Sequence, residues 1–370
     1  MLMQQYDVII LGAGPAGCAT AISLCKKGFK TIILDKKSVS AQPVGENLDV
    51  TAKTILSELN LDVRSLDAAH MAAYHSVSLW ANKTPVWKDS LFNPNGHGWH
   101  LNRAEFDNCL LNTAMQTGVE YLTCEQLEIE TDIDQWKINF NVKAEQRSLN
   151  CRFLVDCTGR ARVLSRKLSV PLFRFDSLMS ITSSFECEGN EIATQSIIEA
   201  APNGWWYSAC VPGNKRVLSF FTNAKTDYFK MYADANKFYE GIGETTLLKE
   251  IVPAKELFSE LTFRYANSEK PEKICGSNWI SAGDAAAAFD PLSSQGISTA
   301  LKMGVKAAGA VAVKLSTDSD SALAAYEKTY NDLFDDYLDQ RQKYYASVFA
   351  WDTNDFWKTN SSINIKSLHN

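Results

Sequence analysis

The sequence has no apolar run of the ~18 to 20 residues that a membrane-spanning helix needs. Its nine cysteines form no CxxC pair, and its five histidines are scattered without the spacing of zinc ligands. The formal net charge of -6 disfavours a general nucleic-acid surface. We therefore expect no membrane span, no metal site and no nucleic-acid partner.

The N-terminus lacks the basic region and the cleavage site that are typical of a signal peptide. Five cysteines sit among apolar neighbours, as packed and reduced thiols do in the cytosol: Cys18, Cys25, Cys109, Cys157 and Cys210. We therefore expect a cytoplasmic protein. A length of 370 residues is enough for two domains, or for one large domain with an insertion.

The N-terminal stretch YDVIILGAGPAGCATAISLCKKGFKTIILDKK has the pattern of a nucleotide-binding βαβ unit. Residues 6 to 11 predict a buried parallel strand, residues 15 to 27 a helix, and residues 31 to 34 a second strand. Asp35 ends the second strand 18 residues after Gly17, where a carboxylate can accept hydrogen bonds from ribose hydroxyls.

The three glycines of this stretch have the GxGxxG spacing, and each suits a different mechanical task. Gly12 allows the tight turn, Gly14 lets a pyrophosphate approach the backbone, and Gly17 lets helix and strand pack closely. The helix N-terminus, where Pro15 and Ala16 stand in the first turn, then offers its free N–H groups to the phosphates, with Pro15 itself contributing none. Strand, glycines, helix and terminal acid together predict a dinucleotide site.

A second stretch, GDAAAAFDPLSSQGI, identifies the dinucleotide. Residues 274 to 283 predict a strand that leads to Asp284 at its carboxyl end, where an acid can hold a polyol hydroxyl. Residues 295 to 297 open a helix that is predicted over residues 298 to 315. A helix start beside a ring that becomes anionic on reduction would stabilise that anion. Flavin has both the polyol and the ring, so the stretch favours FAD over NAD.

Two further stretches support FAD. RFLVDCTGRARVLSRKL, residues 152 to 168, predicts a strand that ends near Thr158 and Gly159 and is similar to the "ATG" stretch of flavoproteins, where the chain crosses near the pyrophosphate. Arg103 precedes a predicted helix in LNRAEFD, and residues 119 to 122 predict the strand that follows this helix. Arg103 has the geometry to hold a phosphate as a bidentate donor, or to be an exposed arginine at a helix start.

GAGPAG with Asp35, LNRAEFD, DCTGR and GDAAAAFDPLSSQGI resemble, in order and spacing, the FAD domain of p-hydroxybenzoate-hydroxylase-like monooxygenases. That superfamily includes flavin-dependent tryptophan halogenases and geranylgeranyl-reductase-like enzymes. The resemblance covers residues 1 to about 315 and implies an FAD-dependent, monooxygenase-like oxidoreductase. The FAD-binding residues that it implies are Gly12, Gly14, Pro15, Ala16, Gly17, Asp35, Lys36, Glu46, Asn47, Arg103, Thr158, Gly159, Gly283, Asp284, Pro291, Ser294, Gln295, Gly296 and Ile297.

The predicted fold is α/β: a glutathione-reductase-type FAD-binding Rossmann domain with an inserted antiparallel β-sheet substrate domain and a C-terminal helical segment. Alternating apolar and polar residues with turn signals such as NPNG predict the inserted strands. In the tail we expect Leu333, Phe334, Tyr337 and Leu338 on one helix face. The boundaries are 1–70, 101–168 and 260–315 for the FAD domain, 71–100 and 169–259 for the substrate domain, and 316–370 for the C-terminal helices.

Two features disfavour a halogenase within this superfamily. Aligning Val211 and Pro212 with the end of the halogenase WxWxIP stretch places Tyr207 and Ala209 at its two tryptophan positions. Residues 72 to 80, where the halogenase lysine that carries the activated halogen is expected, contain His75 and no lysine.

The length, GWWYS and DPLSSQGI look most like the flavoproteins that mature cysteine tryptophylquinone amino-acid oxidases, namely the glycine oxidase and lysine ε-oxidase maturation flavoproteins. This resemblance implies oxygenation of a tryptophan in the precursor of a partner oxidase. Two other classes stay open: a small-molecule aromatic hydroxylase or geranylgeranyl-reductase-like enzyme, and a non-catalytic flavin-containing maturation factor. The sequence has no second GxGxxG, but hydroxylases of this fold bind NAD(P)H without one, so NAD(P)H and a separate reductase both stay open as electron donor.

The candidate catalytic residues are Glu46, His75 and Pro291. Glu46 stands in PVGENLDVTAKTILSEL, residues 43 to 59, which looks like the loop that passes the flavin in halogenase-like members. Pro291 would fix the loop against the flavin ring. Glu46 as a solvated loop acid and His75 as an ordinary sheet histidine remain alternatives. Three aromatic residues are expected in the substrate cleft, with plain packing or a docking patch as alternatives: Trp205, Trp206 and Tyr207.

Overall fold

The computed structural model describes residues 4–36, 46–81, 84–90, 93–132, 135–143, 145–187, 195–253 and 258–362. Residues 43 to 45, the start of the predicted flavin-passing loop, lie outside these ranges. The strands are β1 Gln4–Leu11, β2 Thr31–Lys36, β3 Asn47–Leu48, β4 Met71–Ala73, β5 His75–Leu79, β6 Val86–Asp89, β7 Gly98–His100, β8 Glu120–Asp132, β9 Gln135–Val142, β10 Glu145–Asp156, β11 Leu172–Arg174, β12 Leu178–Glu186, β13 Gln195–Ala201, β14 Gly204–Val211, β15 Lys215–Asn223, β16 Thr262–Tyr265, β17 Glu269–Pro271, β18 Cys275–Gly276 and β19 Trp279–Ser281. The helices are α1 Pro15–Lys26, α2 Ala52–Glu58, α3 Val63–Ala69, α4 Arg103–Gln116, α5 Val163–Lys167, α6 Asp227–Tyr232, α7 Ala235–Gly243, α8 Gly296–Thr317, α9 Ser321–Ala346 and α10 Asp355–Ser361.

The first sheet has a parallel core in which β1 lies between β2 and β10, with β8 beyond β2 and β19 beyond β10. Helices α1 and α8 pack against each other beside this sheet. Gly304 lets them approach, because a Cβ there would stand 2.6 Å from the Ala16 carbonyl oxygen. This arrangement confirms the predicted α/β fold and brings the ends of β1, β10 and β19 to one edge.

Two strands of this sheet differ from the prediction. The single strand expected over residues 274 to 283 is a hairpin of β18 and β19, because residues 277 and 278 form a turn whose Asn278 carbonyl accepts from Trp136 Nε1 and Leu154 N. The strand expected over residues 119 to 122 continues as β8, which forms an antiparallel meander with β9 and the first half of β10.

The second sheet has the order β16-β12-β15-β14-β13-β5-β6. Its residues and residues at the edge of the first sheet line one cavity. The pairings of the second sheet are antiparallel, as predicted, except that β5 runs parallel to β13. The sheet is therefore mixed, since β5 comes from a segment far earlier in the chain. Helices α6 and α7 cover its outer face around Trp206, Phe220 and Phe238. A small sheet has the order β3-β7-β4; its strand β3 contacts α8 and its strand β7 contacts β14 of the second sheet.

The C-terminal helix α9 packs along the first sheet through a stripe at i, i+4 spacing. Its buried residues include Tyr326, Tyr330, Phe334 and Leu338. The predicted face was wrong at Leu333, which is 37% exposed, whereas Tyr337 packs against Phe334 and its hydroxyl accepts a hydrogen bond from Asp290 N. The stripe consists of the residues that point at the sheet. Leu333 comes one position before Phe334 of this stripe, so its side chain points about 100° away around the helix axis.

No helix in the described part of the chain is long and apolar enough to cross a membrane. The nine cysteines are free thiols. The described residues also contain no cluster of histidine, cysteine and carboxylate side chains that could hold a metal ion.

We expect a pH-dependent stability from His100, which is fully buried on β7 opposite Asn47. Burial, and the nearby charge of Arg216, lower the pKa of His100 to about 4. The unfolded chain binds this proton at its ordinary pKa, so stability is present above about pH 6.5 and is lost as the pH falls towards 4.

Between pH 7 and pH 5 the wild type should therefore lose about 2 kcal/mol more unfolding free energy than His100→Gln, measured by urea denaturation. Equal losses in the two proteins would show that the His100 ring is protonated in the folded state.

Candidate active site

A cavity of about 450 Å³ lies where the carboxyl edge of the first sheet faces the second sheet. One wall comes from the glycine-rich turns of the first sheet, and it includes Gly14, Gly159, Gly283 and Gly296. The opposite wall comes from alternate residues of β12, β15 and β14, and it includes Ser180, Thr182, Ser219, Phe221, Trp205 and Tyr207. Glycine-rich turns thus contribute to one side of the cavity, and strand side chains form the other.

The turn between β1 and α1 leaves open space at one glycine and none at the other two. A Cβ on Gly12, where φ is 99°, would clash with the Cys157 carbonyl, and a Cβ on Gly17 would clash with the Gly12 carbonyl. A Cβ on Gly14 would meet no atom within 4 Å. Gly14 therefore faces the space that a pyrophosphate needs, while Gly12 and Gly17 make the turn possible.

Asp35, at the end of β2, holds this turn by accepting a hydrogen bond from Ala13 N at 3.3 Å. Burial raises the pKa of Asp35, and hydrogen bonds from backbone N–H groups oppose the shift. The carboxylate lies beside the glycine turn, where the sequence predicts a ribose contact. Asp35 does not itself line the cavity.

The loop after β19 carries the other end of the site. Gly283 has a φ of 64°, and Asp284 follows it with a half-exposed carboxylate 3.7 Å from Arg160 Nε. Arg160 is fixed in turn by hydrogen bonds to the Asn267 carbonyl at 2.8 Å and to Glu269 at 3.3 Å. An acid and an arginine held in this way can orient the hydroxyls of a polyol.

The segment Pro291–Ser293 forms a short 3₁₀ turn that ends at Ser294, and α8 begins at Gly296. The Ser294 carbonyl accepts from Asn47 Nδ2 at 3.2 Å, which ties the turn to β3. Gly296 stands at the helix N-terminus, and a Cβ there would meet nothing within 4 Å. A planar ring could therefore approach the first N–H groups of α8.

A buried carboxylate, Asp290, anchors this turn from behind. Its side chain accepts from Leu292 N at 2.9 Å, from Arg341 Nε at 2.9 Å and from the Tyr345 hydroxyl at 2.7 Å. Burial raises the pKa of Asp290, and the guanidinium of Arg341 opposes the shift. Arg341 also donates to Asn360 on α10. The C-terminal helices thus hold the loop beside the N-terminus of α8. We call this place, where a planar ring could bind, the ring site.

The same network reaches the wall formed by β12, β14 and β15, which we call the substrate wall, because Trp205 Nε1 donates to the Tyr345 hydroxyl at 3.0 Å. Trp205 also stacks on Phe221, with ring centroids 3.9 Å apart and planes 14° from parallel. Both rings line the cavity. They form a rigid apolar surface suited to another flat aromatic group.

Glu46 and Tyr207 both line the cavity and contact each other. The hydroxyl of Tyr207 forms a hydrogen bond with the Glu46 carboxylate. Burial, and then the negative charge of Glu46, raise the pKa of Tyr207 well above its ordinary value, so the phenol stays protonated. The pair is an acid–base group inside the cavity and beside the ring site.

The structure gathers most of the predicted site residues in one place but not all of them. The predicted residues that line the cavity are Gly14, Pro15, Ala16, Glu46, Asn47, Arg103, Gly159, Trp205, Tyr207, Gly283, Asp284, Pro291, Ser294, Gly296 and Ile297. Arg103 is also paired with Asp107 at 3.0 Å. Six predicted cofactor residues do not line the cavity: Gly12, Gly17, Asp35, Lys36, Thr158 and Gln295. Thr158 donates its hydroxyl proton to Asp156 at 2.6 Å, so its side chain serves the turn.

Two predictions need correction. Trp206 does not belong to the substrate wall, because successive strand residues point to opposite faces and Trp206 packs on the outer face near Phe238. His75 does not line the cavity either. It lies on β5, 43% exposed, with Nδ1 3.3 Å from Asp89. The structure gives a catalytic role for His75 no support.

Several residues of the site were missed. Ser180 and Thr182 alternate with the buried Ile181 in LMSITSSFE, and this period of two predicts that they share a face. Arg341 stands on the apolar stripe of α9, and a charge at such a position needs a buried partner. Arg160 stands within the quoted DCTGR motif. The sequence offers no signal that pairs Arg341 with Asp290.

The donor set and the shape of the site fit FAD: open glycines for the pyrophosphate, acids for the hydroxyls of ribose and ribityl, and a helix N-terminus for the ring. A family model described as tryptophan halogenase matches residues 67–369, and one described as FAD binding domain matches residues 7–43. The cofactor is therefore FAD, and the chain is an FAD-dependent enzyme, as predicted.

Individual relatives cover most of the chain. The putative FAD-dependent oxidoreductase LodB of Marinomonas mediterranea is 28% identical, over 96% of this chain and 97% of its own length. A 1H-pyrrole-2-carbonyl-[peptidyl-carrier protein] chlorinase of Pseudomonas fluorescens is 26% identical, over 87% of this chain and 80% of its own. A solved structure, the peptidyl tryptophan dihydroxylase QhpG essential for tryptophylquinone cofactor biogenesis, has the same fold (TM-score 0.79, 22% identity, 97% of this chain and 79% of that one).

The glycine turn yields a matched pair of variants. Gly14→Ala should leave the stability of the cofactor-free chain within about 0.5 kcal/mol, since φ is -69° and the Cβ has free space, yet weaken FAD binding about tenfold or more. Gly12→Ala should lower the unfolding free energy by about 2 kcal/mol or more, because it combines a clash with a positive φ. Urea unfolding and FAD titration measure both. Tight FAD binding by Gly14→Ala would contradict the assignment of the pyrophosphate to this turn.

The anchor behind the ring site can be tested on α9. Arg341→Met should lower the unfolding free energy by about 3–5 kcal/mol and weaken FAD binding, because Asp290 keeps a buried charge without its partner. Lys343→Met, which removes an exposed ion pair with Asp339 on the same helix, should cost under about 1 kcal/mol. Similar losses in the two variants would show that Asp290 does not depend on Arg341.

Proposed function

The chain belongs to the tryptophan halogenase family, and within it we propose a monooxygenase that oxygenates a tryptophan side chain in the precursor of a partner amino-acid oxidase, during biogenesis of a cysteine tryptophylquinone. Electrons come from NAD(P)H or from a separate reductase.

The composition of the substrate wall carries this proposal. In the part of the chain that the structure describes, no lysine lines the cavity, and residues 72 to 80 contain none. The halogenase-like members of the superfamily need a lysine to carry the activated halogen. The wall instead offers the stacked rings of Trp205 and Phe221 and the hydroxyls of Ser180, Thr182 and Ser219. Such a surface suits an indole, which has one polar N–H on a flat apolar ring.

FAD, when bound and reduced, supplies the activation of dioxygen at its ring. The chain contributes orientation, because Trp205 and Phe221 are fixed by stacking and by the Tyr345 hydrogen bond before the substrate arrives. It also provides a proton acceptor. Replacing a C–H of the indole by C–O releases a proton, and a carboxylate oxygen of Glu46, held by the Tyr207 hydroxyl, can accept it.

The comparisons lend this proposal two kinds of support. The LodB relative spans nearly the same length as this chain and is named as an FAD-dependent oxidoreductase. The structural neighbour QhpG is titled a peptidyl tryptophan dihydroxylase in tryptophylquinone biogenesis. A tryptophan held in a protein is therefore a substrate that this fold accommodates.

Flavin-dependent halogenation is the second candidate, since the family model and the chlorinase relative both point to it. In that case the electrophile at the cavity would be a halogen, and turnover would require chloride or bromide. The cavity wall favours oxygenation over halogenation, because no lysine among the described residues lines the cavity, where it would hold the activated halogen.

Co-expression with a tryptophylquinone-type oxidase precursor tests both candidates by intact mass spectrometry. We expect the precursor to gain the mass of one or two oxygen atoms, with no gain under anaerobic conditions. Asp284→Ala should abolish the gain through loss of FAD contacts, whereas Asp332→Ala, an exposed carboxylate on α9, should not. A gain that depends on bromide and corresponds to bromine would make the chain a halogenase. A bound but unmodified precursor would indicate a non-catalytic maturation factor.

A further inference from the structure

One edge of the second sheet is open beside the cavity. In β16, Ala266 N, just past the strand, donates to the Leu178 carbonyl at 3.0 Å. Hydrogen-bonded residues alternate along an antiparallel pair, so Arg264 is bonded to β12 as well. The peptide groups of Phe263 and Tyr265 therefore point away from β12, into the space where a further strand would pair.

The protein protects this edge only lightly. Arg264 Nη1 donates to the Phe263 carbonyl at 2.9 Å and so occupies one outward acceptor with a side chain that can swing away. The outward N–H of Phe263 and both groups of Tyr265 have no partner among the described residues. The strand has neither proline nor a bulge, and Tyr265 is 72% exposed. Edges left in this state readily accept another strand.

The open edge is continuous with the cavity. Arg264 and Tyr265 line the cavity together with Ser180 of the adjacent strand. A strand added beside β16 would run about 4.8 Å from it, with every second side chain on the cavity face. The residue opposite Arg264 would then stand over the opening. The other edge strand of this sheet, β6, contributes no residue to the cavity lining.

We propose that β16 is the docking edge for the protein substrate: an extended segment of the precursor pairs with β16 as an added strand and directs its tryptophan into the cavity. This inference rests on the proposed function and names how its substrate is recognised. Exposed peptide groups beside the cavity can exchange water for the main chain of a peptide, which a free aromatic molecule does not have. Main-chain hydrogen bonds would provide affinity, and the aromatic wall would select the one side chain that enters.

The docking edge is tested with Tyr265→Pro and its control Tyr265→Val. Proline removes the outward N–H and blocks pairing, while the ladder to β12 keeps its bonds because this N–H does not take part in it. Valine removes the same side chain and retains the N–H. Binding of a purified tryptophylquinone-type oxidase precursor, measured by titration calorimetry, should weaken about tenfold or more in Tyr265→Pro and by less than about threefold in Tyr265→Val.

Hydrogen exchange in the wild-type chain provides a second measurement that needs no variant. The precursor should slow exchange of the Phe263 and Tyr265 amides, and wild-type affinity in Tyr265→Pro or unchanged exchange at β16 would overturn the docking edge. If the precursor gains oxygen while β16 exchanges as in the free chain, the docking edge fails and the proposed function stands. If exchange at β16 slows but the precursor's mass never changes, the docking edge stands and the proposed function fails.

Discussion

The site depends on a carboxylate that has no access to water. Asp290 is stable in the interior because Arg341, the Tyr345 hydroxyl and Leu292 N satisfy its oxygens. It immediately precedes the turn that faces the ring site, so the position of that turn follows from the position of the charge. Tyr345 also receives the indole N–H of Trp205. One buried acid therefore sets the spacing between the cofactor wall and the substrate wall, and it makes the C-terminal helices part of the active site.

The cofactor half was predictable because its features are local. A turn with φ of 99° at Gly12, a helix N-terminus behind Gly14 and an acid at the end of β2 are all consequences of residues within one short stretch. The substrate half was predicted less well because it depends on strand phase. The sequence places Trp205 and Trp206 side by side, yet only the pairing with β15 decides that Trp205 faces the cavity. Long-range partners such as Asp290 and Arg341 have no local signature at all.

The two halves of the site differ in how specific they are for one reaction. Open glycines and a helix start recognise phosphates and a flavin ring without regard to the reaction that follows. The proposed reaction depends instead on side chains around the cavity, namely Trp205, Phe221 and the hydrogen-bonded pair of Tyr207 and Glu46. Membership of the tryptophan halogenase family therefore supports the FAD site, whereas the choice between oxygenation and halogenation rests on these side chains.

Among the described residues, the sheet that forms the reactive wall ends in a strand with one unpaired edge, and this arrangement limits how a large substrate can enter. A tryptophan within a protein must bring its flanking main chain to the mouth, where each peptide group loses water and needs a new partner. β16 supplies such partners at the spacing of a strand, and its neighbour β12 contributes Ser180 and Thr182 to the wall. A chain that pairs there has its register fixed relative to Trp205, because both belong to one hydrogen-bonded sheet. Docking and orientation then become one event, and the reacting carbon is placed by the geometry of the sheet.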